Sequence, residues 1–588
     1  MKSDDAKRGY HYAKSYGVGK LYYKARERLE RNGLEKNYQD WLFAGRPSAR
    51  EKELQRGHQF SFRPLISIVV PLYRTPEMFL REMVESVLAQ TYGNLELCLA
   101  DGSGDDSLEP LLSGYMNQDA RIRYRRLPEN LGISGNTNEA LRMATGAYVA
   151  LLDHDDILEE YALFEVVNLL QDRPELELIY TDEDKVSPDS ATFFRPHFKP
   201  DYNPELLRSN NYICHFLIIK RELAECVGSF RGEFDGAQDY DFILRCVERT
   251  EKIGHIPQVL YHWRCSEDST AGNAGNKSYA AEAGKRALEA HLKRCGEEAR
   301  VDCLDNPGFY RLHYTLLTVP KVCIVLLGAP DTGKLRKFLK AVSKRRTYTN
   351  FEMLMLLDMP KKNKTILNFI KEYRQIPIKV VYCTGACNKF VTFTSLAEKL
   401  ESEYLLFLDS RIGTVGADYM ELLLGYAQRA GVGAVGGRVY DNNLRLRYGA
   451  RIMGLNGQAG VAFEGLKAGY TGYFHKAILQ QDYHALSGQA MMVSRESFLK
   501  AGGFSEDVEG RMCDVDLCLK LERLGLRNVY EPGAVFILQK CREGRRKAVR
   551  PAVQFAKKWK DFLKEPDVYY NPNLSLKDTD FRIGEIYQ

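Results

Sequence analysis

At 588 residues, 44% hydrophobic and 27% charged, the chain has an ordinary globular composition and length for two or three domains. It has no apolar run near the roughly 18 residues of a membrane-spanning helix, and residues 1–53 are polar and charged, so neither a span nor a secretory leader is expected and the cytoplasm is. The net charge of +5 is local: residues 541–560 hold eight Lys or Arg against one Glu, which leaves −2 for the remainder, and no nucleic-acid partner is expected.

Residues 1–60 read as a helical extension with Tyr38 and Trp41 as anchors on the domain that follows. PLISIVVP (64–71) is a continuous apolar strand ending in a turn at Leu72-Tyr73-Arg74-Thr75-Pro76. Residues 77–88 have helical spacing, and LELCL (95–99) is a second buried strand ending in Ala100-Asp101-Gly102-Ser103. Strand, helix and strand in this order make a βαβ unit with its loops on one edge. Asn130–Glu139 is a glycine-broken turn entering a helix, after which Tyr148–Leu152 forms a further strand with Asp153, His154, Asp155 and Asp156 at its carboxyl end. Ligands of open α/β sheets sit at that edge. Hard carboxylate oxygens there suit Mg²⁺ or Mn²⁺, bound together with the phosphates of a substrate; the alternative for an isolated Asp-x-Asp is a solvated acidic turn.

Farther along, Asp182, Glu183 and Asp184 follow the apolar strand 176–180 and either touch a substrate or form a turn. In GAQDYDFILR (236–245) Asp239 stands at the start of a helix, as a functional carboxylate or as an N-cap. LYHWR (260–264) ends a strand with His262 and Arg264. The thirteen cysteines lack Cys-x-x-Cys pairs, so thiols are expected, not disulfides or zinc.

ISIVVPLY, LADGSGDD, NLGISGNTNEAL, ALLDHDD, YTDEDK, GAQDYDFILR and LYHWR follow one another over residues 61–270. In that combination the segment resembles the inverting family 2 glycosyltransferases of GT-A fold, more narrowly the two-domain bacterial enzymes of O-antigen and rhamnan-type polysaccharide assembly. The resemblance implies a nucleotide-diphospho-sugar donor, UDP- or dTDP-linked with rhamnose suggested, and a growing glycan or polyprenyl-linked acceptor. It implies that Asp153, Asp155 and His262 hold the metal and that Pro71, Tyr73, Asp101, Asp153 and Arg264 bind the nucleotide. Asp101 would take the N3 proton of the base, Tyr73 would cover it, and Asp239 would act as the catalytic base. Asp182, Asp184 and Gln238 are further candidate substrate contacts. Where the family often carries Asn, this chain has Arg74.

The second half repeats the first. Residues 320–327 lie over 64–71, and Glu403–Asp409 over Ala147–Asp153, both at an offset of 256. A duplication of this length implies two tandem GT-A-like α/β domains. The expected division is a helical extension (1–60), a catalytic domain (61–305), a linker (306–320), a second domain (321–540) and a basic C-terminal helix and tail (541–588). In the second copy Arg411 stands where Asp155 does, and Leu538 falls near the place of His262, while Asp514 echoes Asp239. A cation at 411 repels Mg²⁺, so the second copy is expected to have lost metal-dependent transfer; the rival is a metal-free site in which Arg411 and Lys540 hold phosphate. Gly328–Lys334 matches most of a phosphate-binding loop, but Leu335 stands where Ser or Thr must meet Mg²⁺. In the C-terminal segment, Phe555, Trp559, Phe562 and Leu563 share a helical face that either docks on its own domain or lies on an anionic membrane surface. A carbohydrate-binding scaffold without activity would be expected to lack Asp155 or Asp239, and neither is missing.

Overall fold

The computed structural model describes residues 18–265, 274–327, 332–344, 347–358, 371–373, 376–383, 388–508, 510–540 and 553–585. Among them, two mixed sheets of nine and ten strands organise the two halves. The first contains β1 (Ile66–Leu72), β2 (Leu95–Asp101), β3 (Ile122–Arg126), β4 (Tyr148–Leu151), β5 (Ile157–Leu158), β6 (Leu178–Val186), β7 (Phe193–His197), β8 (Leu217–Lys220) and β9 (Ile253–Arg264). They lie in the order β3-β2-β1-β4-β8-β6-β9-β5, with β7 on β6. β1 runs parallel to β2 and to β4, and every residue of β1 and β2 is buried. Their alternating side chains serve two cores. Ile66, Ile68 and Val70 pack with Leu80 and Met83 of the Glu77–Leu88 helix, while Val69 and Cys98 pack with Ala140 of the Gly132–Met143 helix. A sheet covered on both faces has its free edge at the strand ends, and β1, β2 and β4 all end on that edge.

The second sheet repeats the first strand for strand. Its order is Ile378–Cys383, Phe351–Asp358, Val322–Leu327, Tyr404–Leu408, Ala490–Ser494, Val432–Tyr440, Arg527–Leu538 and Ile412–Val415. Register is kept as well: Ile66 pairs with Tyr148, and Val322 with Tyr404. The α/β class and the duplication are therefore present in the fold.

Two details differ from expectation, and a third decides between two alternatives. The stretch 306–320 is not plain linker, since Tyr310–Tyr314 pairs antiparallel with Ala299–Cys303 and buries alternate residues. β6 does not end in a turn at Asp182; it continues through Asp184 to Val186, because buried ionic partners take the place of apolar neighbours and leave no hydrophobic signature. The C-terminal helix (Val553–Lys558) spends its apolar face on the protein: Phe555 and Trp559 are buried in the second core, and Trp559 Nε1 donates to Asp516 (3.0 Å). Of the two alternatives for this face, it docks on its own chain; residues 541–552, which carry most of the charge, lie outside the described residues, as do 328–331 of the phosphate-loop match. No described helix is long and apolar enough to cross a membrane. Each described cysteine is a free thiol.

Both ends of the chain tie the halves together. Tyr38 donates to Asp184 (2.6 Å) and Trp41 packs edge-on to Phe198 (5.3 Å), as anchors should, but the preceding helix Val18–Leu34 reaches the second half, where Glu27 accepts from Gly472 N (2.6 Å). In the tail, Asn571 donates to Asp182 (2.8 Å) and Asp567 accepts from Met453 N (2.7 Å).

Candidate active site

The turn after β4 is shaped by its last acid. Asp156, fully buried, accepts from Arg264 N (2.7 Å) and from the Tyr261 hydroxyl, so β9 pulls this carboxyl inward. Arg264 Nε then donates to Asp155 O (2.6 Å). The inward pull leaves Asp153 and Asp155 partly exposed, and among the described residues no side-chain donor meets either carboxylate. Burial holds the Asp153 carboxyl above its usual range; His215 and His154 oppose this, and the charges of Asp155 and Asp239 reinforce it.

Asp239 comes from a different element. It lies in the first turn of the helix Gln238–Val247, whose N-cap position is Ala237, so it is not the cap. Gln238 serves the turn instead, its Oε1 accepting from Gly236 N (3.0 Å). Asp239 Oδ2 accepts from Asn211 Nδ2 (2.9 Å), and burial raises its carboxyl against the pull of His215.

His215 joins these acids, and nothing in its local sequence marks it. It stands just before β8, with Nδ1 on Glu183 (3.1 Å) and its ring stacked on Tyr261 (5.5 Å between centroids). Burial works against its charge, but Glu183, then Asp153 and Asp156, override that and push it up to about 9. Glu183 is itself held well below the carboxylate range: burial opposes this, and the fully buried Lys199 (3.1 Å) with His215 prevails. The edge thus sets among carboxylates an imidazole whose charged form they favour. Asn211 lies beside Asn210, and His215 follows the apolar Tyr212-Ile213-Cys214, so no local pattern singles out either residue.

Several expected contacts are placed elsewhere. His262 is not a metal ligand in this arrangement, because both ring nitrogens are taken, Nδ1 by Asp184 (2.6 Å) and Nε2 by Glu159 (3.0 Å). Asp184 is therefore internal, as is Asp182, whose carboxylate meets Lys199 N (2.8 Å), His255 (2.9 Å) and Asn571 (2.8 Å); neither faces a substrate. Arg264 is fully buried, with Ser190 (2.7 Å), Pro188 O (3.1 Å) and Glu82 (2.5 Å) on its remaining nitrogens, so it clamps the acidic turn and does not meet phosphate. Pro71 lies buried within β1 opposite Ala100. Asp101 is buried at the end of β2 and accepts from Ser103 N (2.8 Å) and Tyr124 (2.9 Å), while Tyr73 is 42% exposed beside it on the β1 end. Arg74 adopts a left-handed φ of 47°, a conformation that Asn enters more readily than Arg.

The buried His262 makes stability depend on pH. Burial disfavours its charge, but Asp184 and Glu159 raise it to about 9, above the ordinary value of about 6.5. A raised folded-state pKa contributes stability in full below about pH 6.5, and that contribution is lost as pH climbs through about 9. Denaturant unfolding from pH 6 to 10 should show this decline, and His262→Gln should flatten it; an unchanged slope in the variant would assign the decline to other groups.

The donor set fits a divalent cation. Mg²⁺ and Mn²⁺ are held by one or two carboxylates plus substrate phosphates, and Asp153 and Asp155 offer such oxygens, met by no side-chain donor among the described residues. Among the described residues, the group close enough to share an ion without a substrate is Glu248, His291 and Cys295. It sits at the far end of the Asp239 helix, and Arg294 already grips both Glu248 oxygens (2.7 and 2.8 Å), which disfavours a cation.

The second copy is arranged differently. Arg411 folds back on Asp409 in a two-pronged pair (3.0 and 2.6 Å), and Asp514 is paired with the buried Arg451 (3.2 Å) while accepting from Gly488 N (2.8 Å). Both acids are neutralised by the chain's own guanidinium groups.

Residues 67–228 match the family described as Glycosyl transferase family 2. This part of the chain is a family 2 glycosyltransferase domain. It holds Asp101, Asp153, Asp155, Asn211 and His215, and the described fold continues beyond it to supply Asp239. Over 554 residues the chain is 36% identical to the uncharacterized protein y4gI of Sinorhizobium fredii, covering 92% of this chain and 60% of that one. Over 549 residues it is 31% identical to the O-antigen biosynthesis protein RfbC of Myxococcus xanthus, covering 92% and 43%. The chain thus spans about half the length of these curated relatives. Among solved structures, S. aureus TarS residues 1–349 in complex with UDP aligns at 18% identity and a TM-score of 0.30, covering 39% of this chain and 71% of that one.

Proposed function

We propose that the chain is a metal-dependent, inverting glycosyltransferase of the cytoplasm that moves a sugar, rhamnose being the first candidate, from a UDP or dTDP donor to a growing cell-surface glycan or polyprenyl-linked oligosaccharide. One observation carries this reading: β4 and β8 pair antiparallel, which brings Asp153, Asp155 and His215 to one sheet edge, and Asn211, on the segment entering β8, holds Asp239 of a distant helix (2.9 Å). The relative named for O-antigen biosynthesis supports the polysaccharide part.

In this reading Asp153 and Asp155 hold the cation, which when bound neutralises charge developing on the leaving diphosphate. The His215 imidazolium adds a positive charge at the same edge. Asp239 Oδ takes the proton of the acceptor hydroxyl as its oxygen bonds to the anomeric carbon; the bond from that carbon to the diphosphate oxygen breaks, and the electron pair leaves with the nucleotide. A base raised by burial is better matched to this task than an ordinary aspartate. Asp101 and Tyr73, side by side at the β1 and β2 ends, are the proposed base-binding pair. A thermal-shift screen of nucleotide sugars with Mn²⁺ tests the reading: stabilisation by a UDP or dTDP sugar that needs the metal supports it, and a response to none of them refutes it.

We assign transfer to the first half alone, because both acids of the second are paired internally. Asp409→Ala and Asp514→Asn should leave overall transfer within about threefold of wild type, as removal of residues outside the chemistry does. Loss of one of two distinguishable linkages on Asp514→Asn would make the second half a working transferase.

A further inference from the structure

One short helix links the second half to the proposed base. The helix Pro204–Ser209 is capped by Asn203, whose Oδ1 accepts from Leu206 N (3.0 Å) and also from Asp482 N (3.0 Å), while its Nδ2 donates to Asp482 O (3.0 Å). The Asp482 carboxylate accepts from Glu205 N (3.1 Å) and pairs with Arg527 (2.7 Å), which also reaches Glu205 (3.2 Å). At the other end Ser209 Oγ donates to Gln480 O (2.9 Å). Asn203, Glu205, Ser209 and Asp482 are all buried, so water and salt weaken these contacts far less than surface pairs.

The helix leads directly into Asn210-Asn211, and Asn211 donates to Asp239. A second tie runs beside it, with the Tyr240 hydroxyl, next to the base, donating to Leu207 O (2.5 Å). We propose that the second half acts on transfer mechanically: its Asp482–Arg527 pair fixes the Pro204–Ser209 helix, and that helix aims Asn211, a positioning residue, at Asp239. This rests on the reading of Asp239 as the base. Asn211 suits the role because its amide nitrogen holds one carboxylate oxygen of Asp239 and so fixes how the carboxyl is turned. Its own Oδ1 is buried without a partner, so an acceptor hydroxyl arriving beside Asp239 would supply one. The duplicated half thereby contributes to catalysis without chemistry of its own.

The test uses the full chain and the donor identified by the nucleotide-sugar screen. Asn211→Ala is expected to lower kcat by about a hundredfold, the scale of a misplaced catalytic group, with donor affinity unchanged. Asp482→Asn should also lower kcat at constant donor affinity, and the double variant should be no slower than Asn211→Ala, since both changes remove the same alignment. Asn211→Ser, which keeps a donor, should recover part of the rate. Independent, multiplicative losses in the double variant would overturn the proposal, as would an Asp482→Asn protein that melts lower but keeps its kcat. Hydrogen exchange of the backbone amides 205–211 separates the two layers: it should quicken in Asp482→Asn. Unchanged exchange overturns the clamp whatever Asp239 does, whereas wild-type transfer by Asp239→Asn overturns the base and with it the role of Asn211.

Discussion

Asp155→Ala should abolish transfer and the metal dependence of donor binding while leaving the fold intact. The separation of these effects follows from how the acidic turn is built. Its path is set by the buried Asp156 and by Arg264 Nε on the Asp155 carbonyl, neither of which needs the Asp155 side chain. The Asp155 carboxylate is partly exposed, so its removal leaves no buried group unpaired. Asp156→Ala is the contrasting control. It strips Arg264 N and Tyr261 of a buried acceptor, at a cost of about 1–3 kcal/mol for each donor left unpaired, and should lower stability sharply. The comparison needs melting temperatures of both variants and donor titrations with Mn²⁺ and with EDTA. Unchanged turnover of Asp155→Ala in Mg²⁺ or Mn²⁺ would remove the acidic turn from the site.

The same turn shows what the sequence made legible. Continuous apolar runs ending in turn residues identified β1, β2 and β4, and their carboxyl ends are where the Asp101, Asp153 and Asp155 backbone now stands. The duplication was readable because offset, strand order and register are all preserved. What could not be read was the direction of polar side chains inside a strand. His262 and Arg264 look like exposed strand-end residues, but β9 runs beside β6 with His262 opposite Asp184 and Arg264 opposite Val186, which places both within the protein. A buried ionic network of Tyr38, Asp184, His262 and Glu159, closed by the partly exposed Arg46, has the same letters as a catalytic cluster and no hydrophobic period to betray it. His215 was missed for the opposite reason. Its importance arises only when β8 folds antiparallel onto β4 and carries it to the Asp153 edge, a long-range pairing with no local signature.

Asp239→Asn should lower transfer by about two to four orders of magnitude and leave donor affinity close to wild type. The substitution keeps size and the capacity to meet Asn211, but an amide cannot take the proton that the acceptor hydroxyl must lose. Its neighbours argue that the protein tolerates the change. Burial already holds the Asp239 carboxyl above its usual range, so replacing it by a neutral isostere removes a charge the fold does not favour. The charge on His215 loses one of its anionic neighbours but keeps Glu183 at 3.1 Å, and Asp153, where Asp239 added to burial, should lose protons more readily. Donor and metal binding should therefore be equal to or slightly tighter than wild type. The decisive measurement pairs single-turnover transfer with a donor titration at the same pH. A loss of donor affinity matching the loss of rate would make Asp239 a residue of the donor or metal site, and proton removal from the acceptor would then have to be assigned elsewhere.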